Sequence, residues 1–156
     1  MKAIALILSL LLCSMTVVAQ GGPANSVPSW ILGNWKFIGY IYHDSFNPPL
    51  NPDLELIFRY SADGTDDLYW DRKGETGFCE RHGNFSVAGN TYNDEVTWTN
   101  PKNNIDCAQD PDMQVGKKTS TNIQIVKGQL QLNLGLAGEP FIYVFEATPN
   151  YPGEQK

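Results

Sequence analysis

The sequence predicts an all-β domain, an eight-stranded antiparallel up-and-down barrel, behind an apolar leader. Three observations carry that prediction. No stretch beyond the leader shows helical periodicity over three turns. Short runs rich in aromatic and β-branched residues recur between turn signals instead. These runs number eight and are joined mostly by short connections, a meander that closes most economically into a barrel and so leaves no exposed edge. A two-sheet sandwich would need more long crossovers than the sequence offers.

The leader comes first. Lys2 is followed by an apolar run from Ala3 to Leu12, then by Val17 and Ala19 at the positions of a peptidase site. Residues 1–19 are therefore expected to be a signal peptide cleaved before Gln20, since the run falls short of the roughly 20 residues a membrane span requires. Cys13 falls in this segment, and the bulky Leu12 before it does not suit lipoprotein processing. The rest is one domain on length, divided into an extension at 20–32, a barrel at 33–148 and a disordered tail at 149–156. Export to the periplasm or the medium follows.

The first strand is expected at 35–43, and the prolines at 48, 49 and 52 make the next connection a longer loop. The second, at 54–60, alternates Leu54, Leu56, Phe58 and Tyr60 against Glu55, Ile57 and Arg59. Asp63-Gly64 turns it into a third at 68–72. Glycine-bearing turns at 73–75 and 88–90 bound a fourth at 78–87 and introduce a fifth at 91–99. The segment 100–113, rich in Pro, Asn and Asp, is the one long irregular stretch. Strands follow at 117–126, at 129–136 and at 140–147, and in the second of these Leu130, Leu132, Leu134 and Leu136 share one face.

Charge and cysteines narrow the function classes. A formal net charge of −6 with no basic cluster argues against nucleic acid and anionic membranes. A neutral, apolar or cationic partner fits better. Cys79 and Cys107 remain after cleavage and are expected to form a disulfide worth on the order of 3 kcal/mol. Cys79 and His82 stand an odd number of residues apart on one strand and face opposite ways, so a zinc site with Cys107 is not expected. The acidic stretches 63–67 and 106–112 lack the spacing of a known calcium loop. The chain has two histidines and no nucleophile elbow. Neither an enzyme, nor a metal, nor a cofactor is expected.

Gly33-Asn34-Trp35, approached by Trp30-Ile31-Leu32, resembles the opening signature of the lipocalins. With the strand count, the chain resembles lipocalin-like, calycin-type exported bacterial β-barrel proteins. The resemblance implies that Trp35 plugs the closed floor and that the open end admits a small hydrophobic ligand. Physics supports the motif: glycine lets the chain cross the floor closely, and tryptophan fills the taper. One departure is that no arginine follows the last strand to stack on that tryptophan, so Arg59 or Arg81 would have to serve.

Phe58, Trp70, Trp98, Phe141 and Tyr143 fall on strand positions able to face the interior, as filled core or as cavity lining, and Leu132 of the leucine face would line the same space. Of the adjacent pair Glu80 and Arg81 one must point inward, where a charge persists only if paired. Arg81 is therefore either a ligand anchor or half of a structural salt bridge. The alternative to a carrier is a protein-interaction module, such as an inhibitor of a secreted or periplasmic enzyme, using the disulfide-tied loop 100–113.

Overall fold

The computed structural model describes residues 27–136 and 138–153, so the signal peptide expected at 1–19 lies outside the described residues. The strands are β1 (Gly33–Tyr42), β2 (Ser45–Asn47), β3 (Leu54–Tyr60), β4 (Thr65–Arg72), β5 (Phe78–Ala88), β6 (Thr91–Thr99), β7 (Lys118–Val126), β8 (Gln129–Asn133) and β9 (Phe141–Thr148). They form one antiparallel sheet in which β1 pairs with β3, each later strand with the next, and β9 with β1. That last pairing closes an eight-stranded barrel of β1 and β3 to β9. The strand missed by sequence reasoning is β2, which folds back on β1 outside the meander. The two-residue turn His43-Asp44 makes this possible, with φ of 47° and 58°, the twist that suits a tight hairpin.

Two bulges set which side chains face inward. The β1–β9 register shifts between Phe37 and Gly39, so β1 sends Trp35 and Phe37 inward below the bulge and Tyr40 and Tyr42 above it. A β carbon at Gly39 would lie 2.2 Å from the Asn47 carbonyl oxygen and 2.8 Å from the Phe46 ring. Glycine there is what lets β2 lie against β1. The second bulge shifts β5 against β6 between His82 and Gly83, which leaves Thr97 unpaired and reverses the facing of the β6 residues beyond it.

At the floor the chain enters through residues 27–32. Ile31 is fully buried, Val27 and Leu32 pack against the main core, and the Trp35 indole N–H donates to the Ile31 carbonyl at 2.7 Å. That core joins Trp35 and Phe37 to Tyr60, Phe85, Tyr92, Ile123, Leu130, Leu132 and Phe145. The arginines considered for the tryptophan are engaged elsewhere. Arg59 pairs with Asp67 and lies 4.3 Å from the Tyr151 ring, and Arg81 pairs inside the barrel. Tyr151 falls in the segment expected as a tail, and its ring is half-buried against the outer wall.

The long loop after β6 is pinned to the barrel by a few buried side chains while most of its residues stay exposed. Two short 3₁₀ turns, Ile105–Gln109 and Pro111–Met113, are capped by the side chains of Asn104 and Asp110. Asn103 brackets Glu80, accepting from its N–H at 2.8 Å and donating to its carbonyl at 2.9 Å. Cys107 is bonded to Cys79, and with Met113 it forms a second core against Leu68, with Leu56, Phe58 and Trp70 at its margin. Cys107→Ser should destabilise the protein by about 2–5 kcal/mol, mostly by freeing the 28-residue separation in the unfolded chain. Urea melts of the variant and of the reduced parent should agree; a variant melting like the oxidised parent would refute the bond's role.

Candidate functional site

β1 and β3 pair only from Gly33↔Tyr60 to Lys36↔Ile57. Above that they part, because β1 turns its upper edge to β2. In the gap a cleft of about 580 Å³ opens at the barrel mouth, within the range typical of small-molecule sites. One wall is aromatic, built by Phe37, Tyr40 and Tyr42 of β1 and by Phe141 and Tyr143 of β9. Its rings touch in sequence: Phe37 to Tyr143 at 4.8 Å between centroids, Tyr143 to Phe141 at 5.6 Å, and Phe141 to Tyr40 at 5.0 Å. The facing wall carries Leu50, Asn51, Leu54, Leu136, Arg72 and Glu75. The Arg72 guanidinium lies 5.0 Å from the Trp70 ring and 3.4 Å from both Glu75 carboxylate oxygens.

Deeper in the barrel the chemistry changes. Arg81 is buried and points inward, with Nη2 at 2.6 Å from Asp94 and Nη1 at 3.3 Å from Asp66. The Tyr92 hydroxyl donates to Asp66 at 3.2 Å. Burial works against the charge on Arg81, and the two carboxylates more than offset it, so its pKa stands above the ordinary value. Burial pushes the Asp66 carboxyl up to about 7 against the opposing pull of Arg81, with Asp94 adding to the rise. Gly83 makes room for the cluster. A β carbon there would come within 2.4 Å of Asp66, 2.7 Å of Asp94 and 2.8 Å of Arg81.

The residues singled out from the sequence go to different places. Tyr143 lines the cleft. Phe58 packs in the core, stacked on Tyr60 at 5.5 Å, and Trp70 flanks the disulfide-anchored core. Arg81 takes the structural salt bridge of its two sequence readings. Leu132 is buried core. Trp98 does not face the interior: the bulge at Thr97 turns it outward, where it stacks on His82 at 4.4 Å. The four leucines are not buried together either. Leu130 and Leu132 are, but β8 ends at Asn133, the chain turns at Gly135, and Leu134 and Leu136 stand 48% and 50% exposed.

Sequence reasoning named Phe141 and Tyr143 of the aromatic wall but missed Phe37, Tyr40 and Tyr42. Their signal was present in the spacing of Trp35, Phe37, Tyr40 and Tyr42, which breaks period two once, at the bulge. It also missed a polar cluster on the outer face, where His82 meets Asp67, and Arg59 donates to the same carboxylate at 2.6 Å.

No protein-family model matches the chain, and no curated protein does. Among solved structures, the chain is similar to the crystal structure of a lipocalin-like protein from Bacteroides uniformis. The identity is 16% and the TM-score 0.52, over 76% of this chain and 99% of that one. A likeness at that identity speaks to the fold alone, and it agrees with the closed eight-stranded barrel. No helix among the described residues is long and apolar enough to cross a membrane. The fold of this chain is lipocalin-like.

Proposed function

We propose that the protein is exported and binds a small hydrophobic molecule at the mouth of the barrel. The observation that carries this reading is the cleft of about 580 Å³ with five aromatic side chains on one wall. It shifts the site from where sequence reasoning put it. Leu132 and Phe58 belong to packed core, whereas free space lies nearer the rim, around Tyr143. The leader at 1–19 and the Cys79–Cys107 bond support an oxidising, extracytoplasmic destination. We expect no catalytic activity.

The neutral fluorophore N-phenyl-1-naphthylamine should bind with about one-to-one stoichiometry and gain fluorescence as it enters the cleft. Leu54→Trp, which adds volume on the wall facing the rings, should weaken that binding roughly tenfold or more, the effect of losing about 1.4 kcal/mol. Tyr40→Ala removes a wall and should weaken it independently. A parent protein that never binds the dye overturns the reading, as do two folded variants that bind it like the parent.

A further inference from the structure

We propose that the mouth cleft selects organic cations, so that its ligand is an amphiphile whose ammonium or delocalised positive charge sits against the rings of Tyr40, Phe141 and Tyr143. This rests on the ligand site proposed above and names the chemical class it takes.

The wall comes first. Its rings do not form one flat stack: Phe37 and Tyr143 meet at 49°, Tyr40 and Phe141 at 30°, and Phe141 and Tyr143 at 60°. Rings set at angles present several faces and edges to one volume, and the negative faces attract a cation. A hydrocarbon ligand would be served equally well by leucines. The sequence instead places three tyrosines among the five aromatic residues.

The charges around the cleft point the same way. Among the described residues, Arg72 is the one cationic side chain on its lining, and it pairs with Glu75 and lies over the Trp70 ring. An anionic ligand would have to compete with Glu75 for that guanidinium. Burial raises the pKa of Tyr143, and Asp112 and Asp110 add to that rise, so both carboxylates act on this ring. Among the nearby cations, Arg81 is held by Asp66 and Asp94, and Lys117 offsets part of the charge at Asp112. The lining itself is balanced, Arg72 against Glu75, and the chain as a whole is negative at −6. A cation with an apolar body matches both the rings and that net charge, whereas an anion matches neither.

The test uses one ring system in three charge states with the mature, disulfide-bonded protein: (2-naphthylmethyl)trimethylammonium, 2-naphthalenemethanol and 2-naphthoate, titrated calorimetrically at low ionic strength. The cation should bind roughly tenfold or more tighter than the alcohol, the scale of a partly desolvated cation–π contact, and the naphthoate weakest. Asp112→Asn should weaken the cation several-fold and leave the alcohol unchanged, and Glu75→Gln, on the lining itself, should weaken the cation more than the alcohol. Added salt should weaken the cation alone. Three equal affinities, or tighter binding of naphthoate, overturn the charge selection while leaving the hydrophobic site standing. Binding of none of the three overturns both. A several-fold loss of the alcohol in both variants would also overturn the proposal, by showing that they disturb shape and not charge.

Discussion

Arg81→Met should destabilise the protein by about 3–5 kcal/mol, the usual result of removing one partner from a buried ion pair. The methionine fills much of the space along the arginine stem, so little of the loss would come from packing. What remains is electrostatic, because Asp66 and Asp94 stay inside the barrel without their shared cation. Carboxyls in that position take up protons in preference to staying charged. The variant's deficit should therefore depend on pH, smaller near pH 5 and larger near pH 8.

The parent sets the sign of that dependence. Asp66 has a folded pKa raised to about 7, above the ordinary carboxylate value of about 3.9. Its contribution to stability is fully present below that ordinary value and is lost as pH climbs through about 7. Asp94 is raised as well, chiefly by burial, and shifts stability in the same direction. Removing Arg81 deletes the influence that holds both values down, so the decline with pH should steepen. Asp66→Asn in the parent should flatten it. Thermal melts of the three proteins across pH 5 to 8 would check this, and a parallel set of curves would refute the ionic account. Neutralising both carboxylates in the Arg81→Met background should recover part of the loss, because the three groups act as one unit.

The barrel was legible because its strands announce themselves locally. Leu54 to Tyr60 alternate cleanly, Asp63-Gly64 and Ala88-Gly89-Asn90 mark the turns, and the observed strands end within a few residues of those expected. What local reading could not supply was phase. A period-two argument carries an inward face along a strand only while no residue is added. One extra residue at Ile38 and one at Thr97 were enough to put Tyr40 and Tyr42 inside and Trp98 outside. The leucine row failed for a related reason: Gly135, at φ 64°, ends the regular strand before Leu136, so the alternation in the sequence outlasts the strand that gives it meaning. β2 was hidden because its turn is His43-Asp44, which lacks the glycine that usually advertises a left-handed pair. The cleft depends on the β1 bulge and on β2, since it exists where β1 leaves β3 for β2. Arg81 was readable as a buried charge needing a partner. The partners, Asp66 and Asp94, come from strands whose pairing the sequence does not state.

Trp35→Ala should cost about 3–5 kcal/mol, as a large-to-small change in packed core. The side chain is nearly fully buried and belongs to the main core with Ile31, Phe37 and Phe145. It also anchors the entry segment through its indole N–H, which donates to the Ile31 carbonyl at 2.7 Å. Two losses therefore combine in alanine: the ring's volume at the narrow end, and the hydrogen bond that ties residues 27–32 beneath the barrel. Trp35→Phe separates them, since it keeps an aromatic body and deletes the donor. Its cost should be clearly smaller, though still measurable, because a buried carbonyl left without its partner carries a desolvation penalty of about 1–3 kcal/mol. In both variants Ile31 and Leu32 should lose amide hydrogen-exchange protection before the β3 and β4 strands do, as the floor segment detaches first. If Trp35→Ala melts like the parent, or if protection is lost evenly across the barrel, then Trp35 does not close the floor, and the burial of Ile31 must rest on other contacts.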